Sequence, residues 1–235
     1  MKTSPQIVEL IDSMGSDLSV VNAARVSFAK ESDWEYRPVF ADPDGSPNQF
    51  EDLRTLSEKD AKLIAYLAKH NHWTPFAHAF LSFRIKAPIF VARQLVKHQV
   101  GLAWNEVSRR YVDDEPEFWF PTKWRKRAEN VKQGSSNDTI DNYIGVDDGW
   151  RNACAELAAR YQWMLDQGVA PEQARMVLPQ NTMTEWIWSG SLAAFARVCK
   201  LRMDPHAQAE TREIAEMINQ LVPMHFEHSW EALLA

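Results

Sequence analysis

The stretch from Arg93 to Tyr111, RQLVKHQVGLAWNEVSRRY, constrains this chain more than any other. It carries Arg93, Gln94, Lys97, His98, Gln99, Asn105, Glu106, Ser108, Arg109, Arg110 and Tyr111 with few turn formers among them. Pro88, just ahead of it, suits the first turn of a helix, where a fixed φ helps and a missing N–H costs nothing. On a helical wheel Val91, Ala92, Leu95 and Val96 share one arc, and Arg93, Gln94, Lys97 and His98 share the opposite arc, with Phe90 intruding. After Gly101 the period changes. Extended chain there sends Glu106, Ser108 and Arg110 one way and Val107, Arg109 and Tyr111 the other.

The plain reading is an amphipathic helix with a solvated face. Such faces usually carry Glu and Lys four residues apart, whereas this one mixes cations, amides, imidazole and hydroxyl. The mixture suits a phosphorylated polar heterocycle: cations for phosphate, amides and Ser for ring edges, Glu for a ribose hydroxyl.

With 235 residues the chain can bury a full core. A net charge of −6 argues against a general nucleic-acid binder, so a site for an anion must be a local basic focus on an acidic body. No apolar run reaches the roughly 20 residues of a membrane helix. The N-terminus, MKTSPQIVELIDSMG, lacks the apolar core of a secretory signal. The two cysteines, Cys154 and Cys199, have neither metal nor redox spacing, so a cytoplasmic location without membrane or nucleic-acid partners is expected.

Along the chain, residues 5–13 read as a short strand and Asp17 as the cap of a helix through Phe28. Residues 31–56 and 128–148, rich in Pro, Gly, Asp, Asn and Ser, read as surface loops of a single domain spanning 1–235. Ser57 caps a helix over Ala61–Asn71 with Leu63, Tyr66 and Leu67 inward. Ala79–Lys86 alternates as a strand. A long helix runs from Trp150 to Gln167 with Trp150, Cys154, Leu157, Ala158, Tyr161 and Leu165 on one face, ended by Gly168. Pro171 opens a short helix, TMTEWIWSGS reads as a strand with a turn, and Leu192–Leu201 is helical. Asp204-Pro205 reads as cap and first residue of the last long helix. The three histidines of HNHWTPFAH lack acidic or cysteine neighbours, so no metal site is expected.

The Arg93–Tyr111 run resembles the signature of the flavin-dependent thymidylate synthases, a basic–His–basic triplet followed by N-E-x-S-x-R-Y. Arg93-Gln94, His98 and Asn105 to Tyr111 match. Lys97 and Gln99 stand where that family usually has Arg, and eight residues rather than seven separate Gln99 from Ser108. Further resemblances are A-R-V-S ending at Ser27, an H-x-T-P-F turn with His72 and Thr74, A-R-x-V-L-P with Arg175, and L-R-x-D-x-H-A-Q with Arg202 and His206. Ala77 replaces an acidic residue usual in that turn. Ser191, Ala193 and Arg197 replace the usual Asn, Arg and Asn.

The resemblance implies an α+β fold, a small antiparallel sheet flanked by helices. It implies reductive methylation of dUMP to dTMP in a homotetramer with active sites at subunit interfaces. FAD is the implied cofactor, with methylenetetrahydrofolate and NADPH as co-substrates. Arg93, Gln94, Lys97, Glu106, Ser108, Arg109, Arg110, Arg175 and Arg202 are the implied dUMP contacts. Ser27, His72, Thr74, Lys97, His98, Gln99, Glu106, Ser191, Arg197 and His206 are implied on the flavin and folate side. Uracil C5 is a poor nucleophile, and neither cysteine sits in a setting that would activate it to attack C6. The alternative is a guanidinium at the polar edge of the ring, favouring charge that develops toward C5, and Arg202 is the candidate. A nucleotide- or nucleic-acid-binding module without catalysis would instead use Arg109–Arg110 and Lys123–Arg127 with nearby aromatics, and would be colourless and salt-sensitive. A histidine-metal hydrolase through His70, His72, His78 and His206 would show in metal analysis.

Overall fold

A computed structural model describes residues 1–36, 54–129 and 136–235. The strands are β1 (Lys2–Thr3), β2 (Ile7–Met14), β3 (Glu35–Tyr36), β4 (Arg54–Thr55), β5 (Phe80–Pro88), β6 (Leu102–Glu106), β7 (Glu117–Phe118) and β8 (Met183–Ser191). The helices are α1 (Asp17–Arg25), α2 (Glu58–Lys69), α3 (Ile89–Leu95), α4 (Tyr143–Asp166), α5 (Pro171–Ala174), α6 (Leu192–Arg202), α7 (Ala209–Leu221) and α8 (Glu227–Leu234).

The main sheet has the order β2-β5-β8-β6. Its directions follow from the pairings. Between β5 and β8, Ser82 Oγ meets Ser189 Oγ at 2.7 Å and Ile89 N donates to the Thr182 carbonyl at 2.9 Å, so the strands run antiparallel. Between β6 and β8, Glu106 lies opposite Thr184 and Trp104 opposite Trp186, again antiparallel. The expected α+β class with a small antiparallel sheet is the one observed. Alternation along β8 buries Trp186 and Trp188. Each buried aromatic of this kind contributes roughly 1.5–3 kcal/mol.

The chain condenses into two compact units. One comprises residues 1–11, 82–189 and 198–221, the other 12–81, 190–197 and 222–235. In the first, α3 packs against α7 and α4 against α5. In the second, α2 packs against α8 and α1.

Several local expectations shift. Ser16, not Asp17, precedes α1; Asp17 is its first residue and turns inward, accepting His228 N at 2.9 Å and Ser229 N at 2.8 Å at the start of α8. Burial, the largest influence, raises the Asp17 carboxyl above its ordinary range against those bonds. In α2, which starts at Glu58 rather than Ala61, Ile64 is buried and Tyr66 is exposed, so the inward face is rotated from the expected one. Within 31–56, β3 pairs antiparallel with β4; residues 37–53 lie outside the described residues. Within 128–148, α4 already begins at Tyr143, and 130–135 lie outside the described residues. Asp147 explains the extra turns: it is buried and receives Trp124 Nε1 at 2.9 Å and Arg151 Nε at 2.6 Å. A polar-looking segment is thereby anchored as helix by one tertiary contact, from Trp124, and one i,i+4 pair within α4.

The central run also departs from its pattern. Helix α3 ends at Leu95, so Lys97, His98 and Gln99 sit in the reversal that feeds Leu102 into the sheet, with Gly101 at φ 77° supplying the left-handed residue. Strand β6 ends at Glu106, and Ser108–Val112 is a turn closed by Tyr111 N to Ser108 O at 2.9 Å. Asp204 accepts His206 N at 2.7 Å in a turn, and α7 starts only at Ala209.

Candidate functional site

Strands β6 and β8 place a carboxylate at the edge of a cleft of about 350 Å³ whose lining includes Glu106, Arg109, Arg175, Thr184, Lys86 and Glu185. Glu106 Oε1 accepts Thr184 Oγ1 at 2.7 Å, and Oε2 accepts Trp104 Nε1 at 3.1 Å. Trp104 faces the same way as Glu106 because residues two apart on a strand share a face, and Thr184 meets Glu106 across the β6–β8 pairing. Arg109 Nη1 donates to the Asp114 carbonyl at 2.8 Å, which ties that guanidinium to its own loop. Arg175 lies in the short 3₁₀ turn after α5, is exposed, and donates from Nε to Glu172 O at 3.3 Å. Glu106 and Arg109, three residues apart, are therefore joined by the distant Arg175 in lining one cavity with both charge signs.

Arg202, at the end of α6, donates from Nε to His98 Nε2 at 2.9 Å. Burial lowers the Arg202 pKa from the ordinary arginine value, so the charge is held in a less solvated setting. Gln94, on α3, accepts a hydrogen bond from the hydroxyl of Thr211 on α7 through Oε1. Ser108 Oγ accepts Arg110 N and Arg110 Nε, each at 3.3 Å. The 108–112 turn thus brings Ser108 and Arg110 together where an extended strand would have set them apart from Arg109. Arg93, Lys97, Gln99 and His206 are exposed in the same unit.

The second unit holds the other residues implied on the cofactor side. Ser27, in the 3₁₀ turn after α1, and His72 and Thr74, before β5, are exposed. His72 stands edge-on to the Tyr66 ring at 6.0 Å. Arg197 is exposed on α6. Ser191 is buried and its Oγ accepts Ala194 N at 3.2 Å, so this hydroxyl caps α6 rather than facing outward.

Both cysteines are buried. Burial pushes the Cys199 thiol up to about 12, and raises Cys154 against a hydrogen bond from Asn181 and the charge of Arg151. Thiols held protonated in this way are poor nucleophiles. Among the described residues no helix is long and apolar enough to cross a membrane, and no group of three or more His, Cys, Asp or Glu is placed to hold a metal ion.

A larger cleft of about 810 Å³, lined by Phe90, Trp119, Trp124 and Trp150 among others, contains none of the residues implied at the nucleotide or the flavin, but it does contain Lys123 and Arg125 of the basic cluster that a non-catalytic binding module would use. The smaller cleft is the stronger candidate because it sets two guanidinium groups, Arg109 and Arg175, among carboxylates that include Glu106, and a guanidinium pairs well with a phosphate. Thr184, which lines it, and Trp104, which donates to Glu106, carry no motif in the sequence. Their signal is faint: Thr184, Trp186 and Trp188 alternate along β8, and Trp104 stands two residues before Glu106.

Comparison with known proteins bears on this geometry. Residues 9–226 match the family model described as thymidylate synthase complementing protein, Thy1. A flavin-dependent thymidylate synthase of Thermus thermophilus is 37% identical over 225 residues, covering 96% of this chain and 74% of that protein. One of Thermosipho africanus is 34% identical over 233 residues, covering 94% and 89%. The crystal structure of a UMP/dUMP methylase, PolB, from Streptomyces cacaoi bound with 5-Br dUMP superposes with a TM-score of 0.80 at 29% identity, covering 99% of this chain and 96% of that one.

Proposed function

The chain belongs to the Thy1 family of flavin-dependent thymidylate synthases, and from that membership we propose that it methylates dUMP to dTMP. It acts as a methyltransferase of de novo thymidylate synthesis, with FAD as cofactor and methylenetetrahydrofolate and NADPH as co-substrates. The observation that carries the reading is the cleft where Glu106, Arg109 and Arg175 converge, a donor and acceptor set suited to a sugar phosphate.

In this reading Arg175, Arg109, Arg110 and Ser108 hold the phosphate end, with Arg93, Gln94 and Lys97 as further nucleotide contacts. Glu106 accepts from a sugar hydroxyl. Arg202 opposes negative charge that develops on the uracil as C5 becomes nucleophilic. His98, which accepts from Arg202 Nε, orients the guanidinium. The raised thiols of Cys154 and Cys199 support a route without an enzyme–C6 bond.

The donor chemistry fits a flavin dinucleotide. Within one unit exposed Lys97, Gln99 and His206, with His98 and Glu106, and within the other exposed Ser27, His72, Thr74 and Arg197, carry N–H, O–H and charged groups of the kinds that a pyrophosphate and a ring edge require. The buried cap Ser191 contributes through the start of α6 rather than by direct contact. When bound, the flavin supplies the reducing equivalents that NADPH delivers. The exposed polar face of the central run, beside the exposed apolar side chains Val100, Tyr111 and Met176, supports a homotetramer whose sites lie between subunits.

The test is the absorbance spectrum of the purified protein together with NADPH oxidation in the presence and absence of dUMP. A flavin spectrum and dUMP-stimulated oxidation with dTMP formed are expected. A preparation that takes up no flavin on reconstitution and shows no dUMP-dependent oxidation would overturn the proposal.

A further inference from the structure

We infer that Thr184 and Trp104 are positioning residues that aim the Glu106 carboxylate at the substrate's sugar hydroxyl. The inference rests on reading Glu106 as a nucleotide contact and adds what holds it in place. Glu106 is exposed, and a free glutamate on a surface samples several rotamers. Here each carboxylate oxygen receives one protein donor, Thr184 Oγ1 at 2.7 Å on Oε1 and Trp104 Nε1 at 3.1 Å on Oε2. Two donors on two different oxygens fix the plane of the group as well as its position. A carboxylate offers about four lone-pair sites, so each oxygen keeps one for a ligand.

Both donors are themselves held rigidly. Thr184 is β-branched, and such side chains are stiff at χ1 on a strand. The Trp104 indole stacks on Trp186 with centroids 4.2 Å apart and planes 18° apart. It also meets Trp188 edge-on at 5.5 Å and 71°. Trp186 and Trp188 are buried, so the direction of the Trp104 N–H is set by the core of the sheet. Cross-strand pairs on one face of β6 and β8 thus convert core packing into the orientation of a surface carboxylate. A preformed acceptor spares the ordering that a mobile glutamate would undergo on binding. The hydroxyl that answers it belongs to a nucleoside monophosphate, because the same cleft presents Arg109 and Arg175.

The experiment measures dUMP dissociation constants, and KM and kcat, for the flavin-loaded enzyme and five variants. Thr184→Val deletes one donor with little change of shape, Trp104→Phe deletes the other while keeping an aromatic ring against Trp186, and each should weaken dUMP about three- to tenfold, the worth of one hydrogen bond, mainly in KM. Thr184→Ser keeps the hydroxyl and should bind as the parent does. Glu106→Gln should bind more weakly, and Thr184→Val added to Glu106→Gln should cause less further loss than Thr184→Val does alone. Thermal unfolding and flavin content are followed for every variant, and Thr184→Ser with Trp104→Phe decide the matter if Thr184→Val folds poorly. Parent-like binding by Glu106→Gln would overturn the reading of Glu106 itself. Weak binding by Glu106→Gln alongside parent-like binding by Thr184→Val and Trp104→Phe would overturn the positioning role and leave that reading standing. Additive losses in the double variant would overturn it too, because the threonine would then act other than through Glu106.

Discussion

Arg202 Nε lies 2.9 Å from His98 Nε2, and because a guanidinium only donates, the imidazole must be the acceptor. His98 is therefore neutral at Nε2 in this arrangement, with its ring proton on Nδ1. The pair joins the end of α6 to the turn after α3, two places that share nothing in sequence. It also orients a charge whose pKa burial has lowered.

Arg202→Ala should lose far more turnover than dUMP affinity, on the order of 10²–10³ in rate, as expected for a donor aimed at developing charge. Arg202→Lys should rescue poorly, since an ammonium cannot reproduce the planar fork. Single-turnover methylation beside equilibrium dUMP binding separates the two effects. A variant weak in binding but intact in turnover would refute the assignment.

Ser108 has lighter work. Its hydroxyl receives the Arg110 backbone and side chain at 3.3 Å each. Ser108→Ala should cost about 0.5–1.5 kcal/mol of dUMP binding and still form dTMP. An inactive but folded Ser108→Ala enzyme would mean that the hydroxyl takes part in the chemistry.

Cys154→Ala and Cys199→Ala should both retain dTMP formation. Cys199 Sγ rests 3.6 Å from Ala215 O and Cys154 contacts Asn181, so the expected cost is packing, read as a lower melting temperature. Loss of turnover in either folded variant with dUMP still bound would count against a nucleophile-free route.

Asp60 offers a test of stability. Burial is the largest influence on its carboxyl and acts upward, yet bonds from Arg25, Ser57 and Ser32, with the Arg25 charge, outweigh it and leave the pKa below the ordinary range. A depressed carboxyl stabilises the fold above the unfolded value, near 3.9, and that contribution is lost as pH falls through the lower folded value. Asp60→Asn should therefore cost on the order of 3 kcal/mol at neutral pH, since it leaves the half-buried Arg25 unpaired. Denaturant melts at pH 7 and below about pH 4 should show the gap between parent and variant closing in acid. A gap that stays constant would refute the pairing argument.

Much of this protein is legible in its residues. Alternation in 79–86, the run 182–191 and the 3.6-residue period of 150–167 point to strands β5 and β8 and to most of helix α4, because burial of one face is a local pattern. The Asn105–Tyr111 and Leu201–Gln208 runs identify the family, because chemistry that needs particular side chains leaves them in order along the chain. Patterns stop where partners are distant. Helix α4 begins at Tyr143 with Asp147 held by Trp124, a residue outside the helix, and Asp17 turns inward because α8 offers it two backbone N–H groups. Tyr66 faces solvent while Ile64 is buried, since only the packing of α2 on α8 and α1 selects the buried arc. The meeting of Arg202 with His98, of Gln94 with Thr211, and of Thr184 and Trp104 with Glu106 likewise arises only once strands pair and helices dock. Residue identity sets what a side chain can donate or accept; its neighbours in space set whether that capacity is spent on the fold or left for a ligand.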